Sequence, residues 1–307
     1  MATEMAQVDQ EKDDETPLLT YRYLRMILVL PAVFLVLATI FEAWSRHWQF
    51  RDSISDSYQG PVRDVFVGAL MASGVCMIAY KGRSKLEDYA LNFAGFNAFF
   101  VALVPNNFTA VLNQAKSTSV TVGEVITRDQ MLTNLRFVLT ALLITSALFV
   151  FCDYKLMNWR ALKWGKDETV FAGWLAVISW ATEIFFLVFI VGGVLLGWET
   201  FLGGTIFGIL HFTAAGLMIG NLSFAAASHA FPATLRTPEQ NASWEPASSR
   251  ALGGYRFIAF AMWAGLLVGG FCIWRHVPYA VIVTEYVEIG LFVAYWLVAT
   301  RRDWRPN

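Results

Sequence analysis

The stretch Tyr23-Leu-Arg-Met-Ile-Leu-Val-Leu-Pro-Ala-Val-Phe-Leu-Val-Leu-Ala-Thr-Ile-Phe-Glu-Ala-Trp44 decides the fold class. It is longer than the roughly 20 apolar residues that cross a hydrocarbon core about 30 Å thick at a rise of 1.5 Å per residue. A polar, acidic segment through Glu11-Lys-Asp-Asp-Glu-Thr-Pro-Leu-Leu19 precedes it, so the run reads as a first membrane span and not as a cleavable signal.

Seven further apolar runs follow. The expected spans are 23–44, 61–80, 89–105, 132–154, 169–196, 203–228, 255–274 and 279–300. The chain is therefore read as an all-α, polytopic transmembrane helical bundle over 22–303, with a disordered cytoplasmic tail over 1–21 and a short one over 304–307. The turn Trp198-Glu-Thr-Phe-Leu202 should close one helical hairpin, and the break at Pro278 should close another. Composition agrees. Hydrophobic residues make up 56% of the chain and charged ones 15%, against about 25% charged in soluble domains, too few to coat a soluble globule.

Charge distribution orients the chain. With the N-terminus inside, 16 of the 23 Lys and Arg fall in cytoplasmic segments and 7 on the outer side, the usual bias. Both termini are thus expected in the cytoplasm, at the plasma membrane in a bacterium or in endosomal or lysosomal membranes in a eukaryote, where the acidic dileucine Asp14-Glu-Thr-Pro-Leu-Leu19 fits a sorting signal. The outer loops at 44–60 and 106–131 are long enough to fold over the mouth of the bundle, and 232–249 reads as a cytoplasmic linker.

Ionisable residues within spans are costly and mark function by default. Six qualify: Asp64, Arg136, Glu183, His211, Glu285 and Glu288. Glu285 and Glu288 stand at i, i+3 on one helical face, where two carboxylates share a proton or meet a cation. The expected site is an outward-facing polar cavity built by Glu183, His211, Glu285 and Glu288, with Asp64 and Arg136 at its mouth. Asn97, Asn106, Asn107 and Asn221 add polar contacts. Its expected work is to bind or transport a small solute, proton or lipid headgroup, with the lipid bilayer as partner and without nucleic acid, cofactor, metal or catalytic residue.

Two alternatives stand beside this reading. One is a metal-dependent intramembrane lipid hydrolase using His211 and carboxylates; the other is a structural membrane subunit without a site. Ser53, Ser55 and Ser57 alternate in a polar loop, a pattern that is usually solvated or caps a helix. Cys76, Cys152 and Cys272 have no metal-ligand spacing and read as small buried hydrophobes.

The loop-to-helix stretch Ser53-Ile-Ser55-Asp-Ser-Tyr58-Gln-Gly-Pro61-Val-Arg63-Asp64-Val-Phe66-Val-Gly68 resembles a pattern in bacterial multispanning proteins of unknown function distantly related to the DRAM/Sfk-type membrane family. That family shows about six spans, against the eight read here. The resemblance implies an orphan membrane protein with lipid-linked roles. The His motifs of alkaline ceramidases and adiponectin-type receptors are absent.

Overall fold

In a computed structural model, residues 2–82, 84–122, 127–156, 169–190, 192, 205–236 and 248–303 are described. Among them the chain is all-helical. The helices are α1 (Ala2–Ser45), α2 (Arg63–Ala79), α3 (Lys85–Leu103), α4 (Phe108–Val122), α5 (Arg128–Leu156), α6 (Val170–Ile190), α7 (Thr205–Ala230), the single turn α8 (Pro232–Leu235), α9 (Ser249–Trp274) and α10 (Ala280–Asp303). A 3₁₀ turn, Ile54–Gln59, lies between α1 and α2.

Six helical segments are long and apolar enough to cross a membrane: Tyr23–Ser45, Arg128–Cys152, Val170–Ile190, Ile206–Ala230, Ser249–Trp274 and Ala280–Arg301. The bent pair Lys85–Leu103 and Phe108–Lys116, broken by 41°, makes a seventh if it counts as one span. The sequence leads one to expect eight. The shortfall sits in α2, whose 17 residues reach about 26 Å, just under the core thickness, and in α3, which opens with Lys85, Glu87 and Asp88. Residues 2–21, expected as a disordered tail, are helical and continuous with the first span. The turn expected at 198–202 lies outside the described residues, as does most of the linker at 232–249. The break at Pro278 is a turn between α9 and α10, as its proline suggests, with His276 and Tyr279 at positive φ.

Helix packing closes a ring. α1 packs on α2, α2 on α3, α3 on α7, α7 on α9, α9 on α10, and α10 returns to α1. The α1 sequence shows why it belongs there. Leu28, Ala32, Leu35, Thr39 and Glu42 recur at helical spacing and are buried, while Leu30, Phe34, Leu37 and Phe41 are exposed on the other side. An exposed face this apolar suits lipid. α6 packs outside the ring on α3 and α7. α5 is the least embedded candidate span, with Phe137, Ile144, Leu148 and Phe151 all exposed.

α2 and α3 cross closely because glycines face each other. A Cβ on Gly95 would stand 2.6 Å from the Gly74 carbonyl oxygen, and one on Gly74 would stand 2.9 Å from that of Gly95. Both obstacles are backbone. Gly95→Ala is expected to force the two helices apart at a cost of about 1–3 kcal/mol, read as a lower midpoint of thermal unfolding in detergent. Gly216→Ala, with open space at its Cβ, is the matched control and should leave the midpoint unchanged.

Candidate functional site

Inside the ring lies a cavity of about 130 Å³. Leu35, Met77, Val101, Leu222, Met262 and Phe292, one from each ring helix, are among its walls. Its polar lining is Ser55, Ser73, Glu285 and Glu288. The expected polar cavity is thus an apolar one with a few polar groups set into it.

The loop after α1 supplies one end. Ser53 caps the 3₁₀ turn, its Oγ accepting the Ser55 N–H at 3.0 Å. Contacts from three helices and the end of α3 hold the turn and its flanks. Arg51 pairs with Glu42 of α1 at 2.5 Å. The Tyr58 hydroxyl donates to the Leu103 carbonyl at the end of α3, at 3.2 Å, and Asn106 just beyond donates to Asp56 at 2.8 Å. The Ile282 N–H of α10 donates to the Asp52 carbonyl at 3.1 Å. From α7, His211 Nε2 lies 2.8 Å from Ser55 Oγ. The result buries Ser53, Ser55 and Ser57. They are not solvated as a polar loop suggests, whereas the capping reading holds for Ser53.

Glu285 is the main anchor. Its carboxylate accepts from Ser53 Oγ at 2.7 Å and from the Ile54 N–H at 2.5 Å, and lies 3.1 Å from Ser55 Oγ. Imidazole geometry fixes the remaining direction. His211 Nδ1 is 2.7 Å from the Val104 carbonyl, which can only accept, so Nδ1 carries a proton. A neutral His211 then presents its Nε2 lone pair to Ser55 Oγ, and the serine hydroxyl donates to it. Ser55 has one proton and two acceptors facing it. The shorter contact is to His211, and Glu285 already has two other donors.

Glu288, one turn along α10, is different. It is 5% exposed, lines the cavity, and neither carboxylate oxygen has a hydrogen-bond partner. It lies against Gly265 of α9, where any Cβ would collide with Oε1. The two glutamates expected to act as one pair share a cavity but not their surroundings: Glu285 is tied to the turn, and Glu288 awaits a donor.

The other candidates lie elsewhere. Glu183 on α6 is buried, with Oε1 accepting from Asn97 Nδ2 of α3 at 2.5 Å and facing Asn221 Nδ2 of α7 at 3.3 Å. It joins α6 to the outside of the ring and does not line the cavity. Asp64 is exposed in the first turn of α2, and Arg136 is on α5, outside the ring; neither lines the cavity. Asn107 caps α4 through its side chain, accepting from the Ala110 N–H at 3.1 Å. Among the described residues no group of three His, Cys, Asp or Glu side chains could hold a metal, so the metal-dependent alternative finds no ligand set there.

A second polar cluster, at the opposite end of the ring, lies outside the sequence candidates. Glu87 Oε1 accepts from His229 Nε2 at 2.8 Å and from the Tyr295 hydroxyl at 3.2 Å, and His229 stacks on Tyr255 with centroids 4.7 Å apart. Nearby, Arg25 donates to the Tyr80 hydroxyl at 2.6 Å and to the Ala299 carbonyl at 3.2 Å. The signal for Glu87 is present in Ser84-Lys-Leu-Glu87, the Ser-x-x-Glu pattern that opens a helix, and the Ser84 hydroxyl does accept the Glu87 N–H at 3.2 Å.

These features define a class: an all-helical protein whose six or seven apolar helices fit integral insertion in a membrane, with an internal cavity closed by a buried 3₁₀ turn. Comparison of the chain with known protein families, with curated proteins and with solved structures finds no match in any of the three.

Proposed function

We propose that the chain is a membrane protein that holds a small amphipathic molecule, a lipid headgroup or lipid-like solute, inside the six-helix ring. One observation carries the reading: a cavity walled mostly by apolar side chains contains a buried carboxyl group, Glu288, with no hydrogen-bond partner. A buried polar group left unpaired costs about 1–3 kcal/mol, and more if charged. A ligand hydroxyl or amine would supply the missing donor while its carbon skeleton lies against Leu35, Leu222 and Phe292. The volume is close to the roughly 150 Å³ of an apolar cavity that takes one benzene ring, so it suits a headgroup or chain end, not a whole phospholipid.

Native mass spectrometry of the protein in mild detergent is the test. A bound lipid or lipid-sized adduct is expected, and Ala215→Phe, which projects a ring into the cavity, should remove it while the protein stays monodisperse. An adduct retained at full occupancy in Ala215→Phe, or none in the presence of total lipid extract, would sink the reading.

The proposed topology has eight crossings, α1, α2, α3, α5, α6, α7, α9 and α10, with both termini cytoplasmic. Ring contacts support it: α2 begins at the 3₁₀ turn and ends at Tyr80 beside Arg25, and α3 runs back from Glu87 to Val104. Reporter fusions at Asn307 and within 106–131 are expected on opposite sides of the membrane. The same side for both would overturn the topology.

A further inference from the structure

We propose that Ser55 is a nucleophile with His211 as its base, so that the cavity houses a metal-independent acyl-transfer site for an ester-linked lipid. The inference rests on the reading of the cavity as a lipid site and goes beyond it in assigning chemistry. Its basis is an ordered row of contacts. The Val104 carbonyl accepts the Nδ1 proton of His211 at 2.7 Å, and Nε2 faces Ser55 Oγ at 2.8 Å. Nucleophile and base are within hydrogen-bond reach, and a third group holds the base in the required tautomer. Here a backbone carbonyl does the orienting. His211 is 1% exposed and Ser55 3%, while Ser55 lines the cavity, so a substrate seated there would meet the hydroxyl away from bulk water. The turn that carries Ser55 is held from several helices at once, and Glu285 fixes it through Ser53 and Ile54. Such anchoring is what an oriented nucleophile needs.

The step balances without a redox partner. Ser55 Oγ bonds to the acyl carbonyl carbon and passes its proton to His211 Nε2. The bond from that carbon to the leaving alcohol oxygen breaks, and the oxygen takes the proton from His211. The acyl group now sits on Ser55 as an ester. Water or a second alcohol attacks the same carbon, gives its proton to His211, and Ser55 leaves and recovers that proton.

A fluorophosphonate probe on the full chain in detergent tests this, with the modified residue mapped by mass spectrometry. Labelling at Ser55 is expected, absent in Ser55→Ala and slowed by about 10²-fold or more in His211→Gln, the usual weight of a general base. Unlabelled Ser55, or an equal rate in folded His211→Gln, overturns the proposal. Should His211→Gln fail to give a monodisperse protein, Ser55→Cys decides. His211 would draw off the proton of the thiol introduced at position 55, which is then expected to react with iodoacetamide at least about tenfold faster than Cys76, Cys152 and Cys272; equal rates overturn the proposal. Failure here is distinct from failure of the binding reading. A protein that keeps its lipid adduct but leaves Ser55 unlabelled binds without catalysing, and one that labels at Ser55 without an adduct retains the nucleophile alone.

Discussion

Glu285→Ala is expected to release the 3₁₀ turn from the bundle and to lower the thermal midpoint in detergent by roughly 5–10 °C. The carboxylate accepts from Ser53 and from the Ile54 N–H, and Ser55 lies within reach. Hydrogen bonds to a charged acceptor contribute about 1.5–3 kcal/mol each. Losing two, with their donors left in a buried setting, costs about 3–6 kcal/mol, and each kcal/mol moves the midpoint of a chain this long by about 1.5 °C. Glu285→Gln keeps one acceptor oxygen and should fall between wild type and Ala. Cysteine accessibility gives the local readout. In a Ser57→Cys background the new thiol, at a position buried in wild type, should become reactive to a water-soluble maleimide when Glu285 is replaced by Ala. A midpoint within about 2 °C of wild type, with that thiol still protected, would show that the turn is held without Glu285.

The second large effect belongs to the opposite end of the ring. Glu87→Ala removes the acceptor shared by His229 and Tyr295, both buried. Breaking a buried pair by deleting one partner costs about 3–5 kcal/mol, because the other polar group stays behind unsatisfied. The expected result is a protein that expresses poorly or melts far below wild type, with Glu87→Gln intermediate because its amide oxygen still accepts. Full stability in Glu87→Ala would mean that His229 and Tyr295 find other acceptors when Glu87 is gone.

Much of the architecture is legible in the chain. Runs such as 23–44 and 279–300 announce themselves, because crossing a hydrocarbon core demands a fixed length of apolar helix, and Pro278 marks its turn by lacking a donor. Which helices touch is not legible. The ring depends on α3 meeting α7 and on α10 returning to α1, pairings between distant parts of the chain with no local mark. Site residues divide along the same line. His211, Glu285 and Glu288 stand out because a titratable group inside an apolar run is costly, and these three do lie at or beside one cavity. Glu183 stands out for the same reason but serves a different contact, with Asn97 and Asn221. Ser55 does not stand out, because a serine in a polar loop looks ordinary; only the folding of that loop into the bundle makes it a neighbour of His211. Glu87 and His229 escape the apolar runs over 89–105 and 203–228, since Glu87 stands two residues before the first and His229 one residue after the second, in helices that extend beyond those runs.

The seam between α1 and α10 sets an order on biogenesis. Most of the chain separates the two helices, and at about 5–20 residues per second the ribosome needs on the order of tens of seconds to cover that distance. Throughout that interval one flank of α1's final neighbourhood is not yet made. Arg25 waits for the Ala299 carbonyl, and Thr39 for the Tyr286 hydroxyl. Both glutamates of the cavity arrive with the same late helix. The chamber therefore comes into existence in one closing event once α10 is made, and whatever occupies it is enclosed at that moment or enters afterwards through a wall that has already formed.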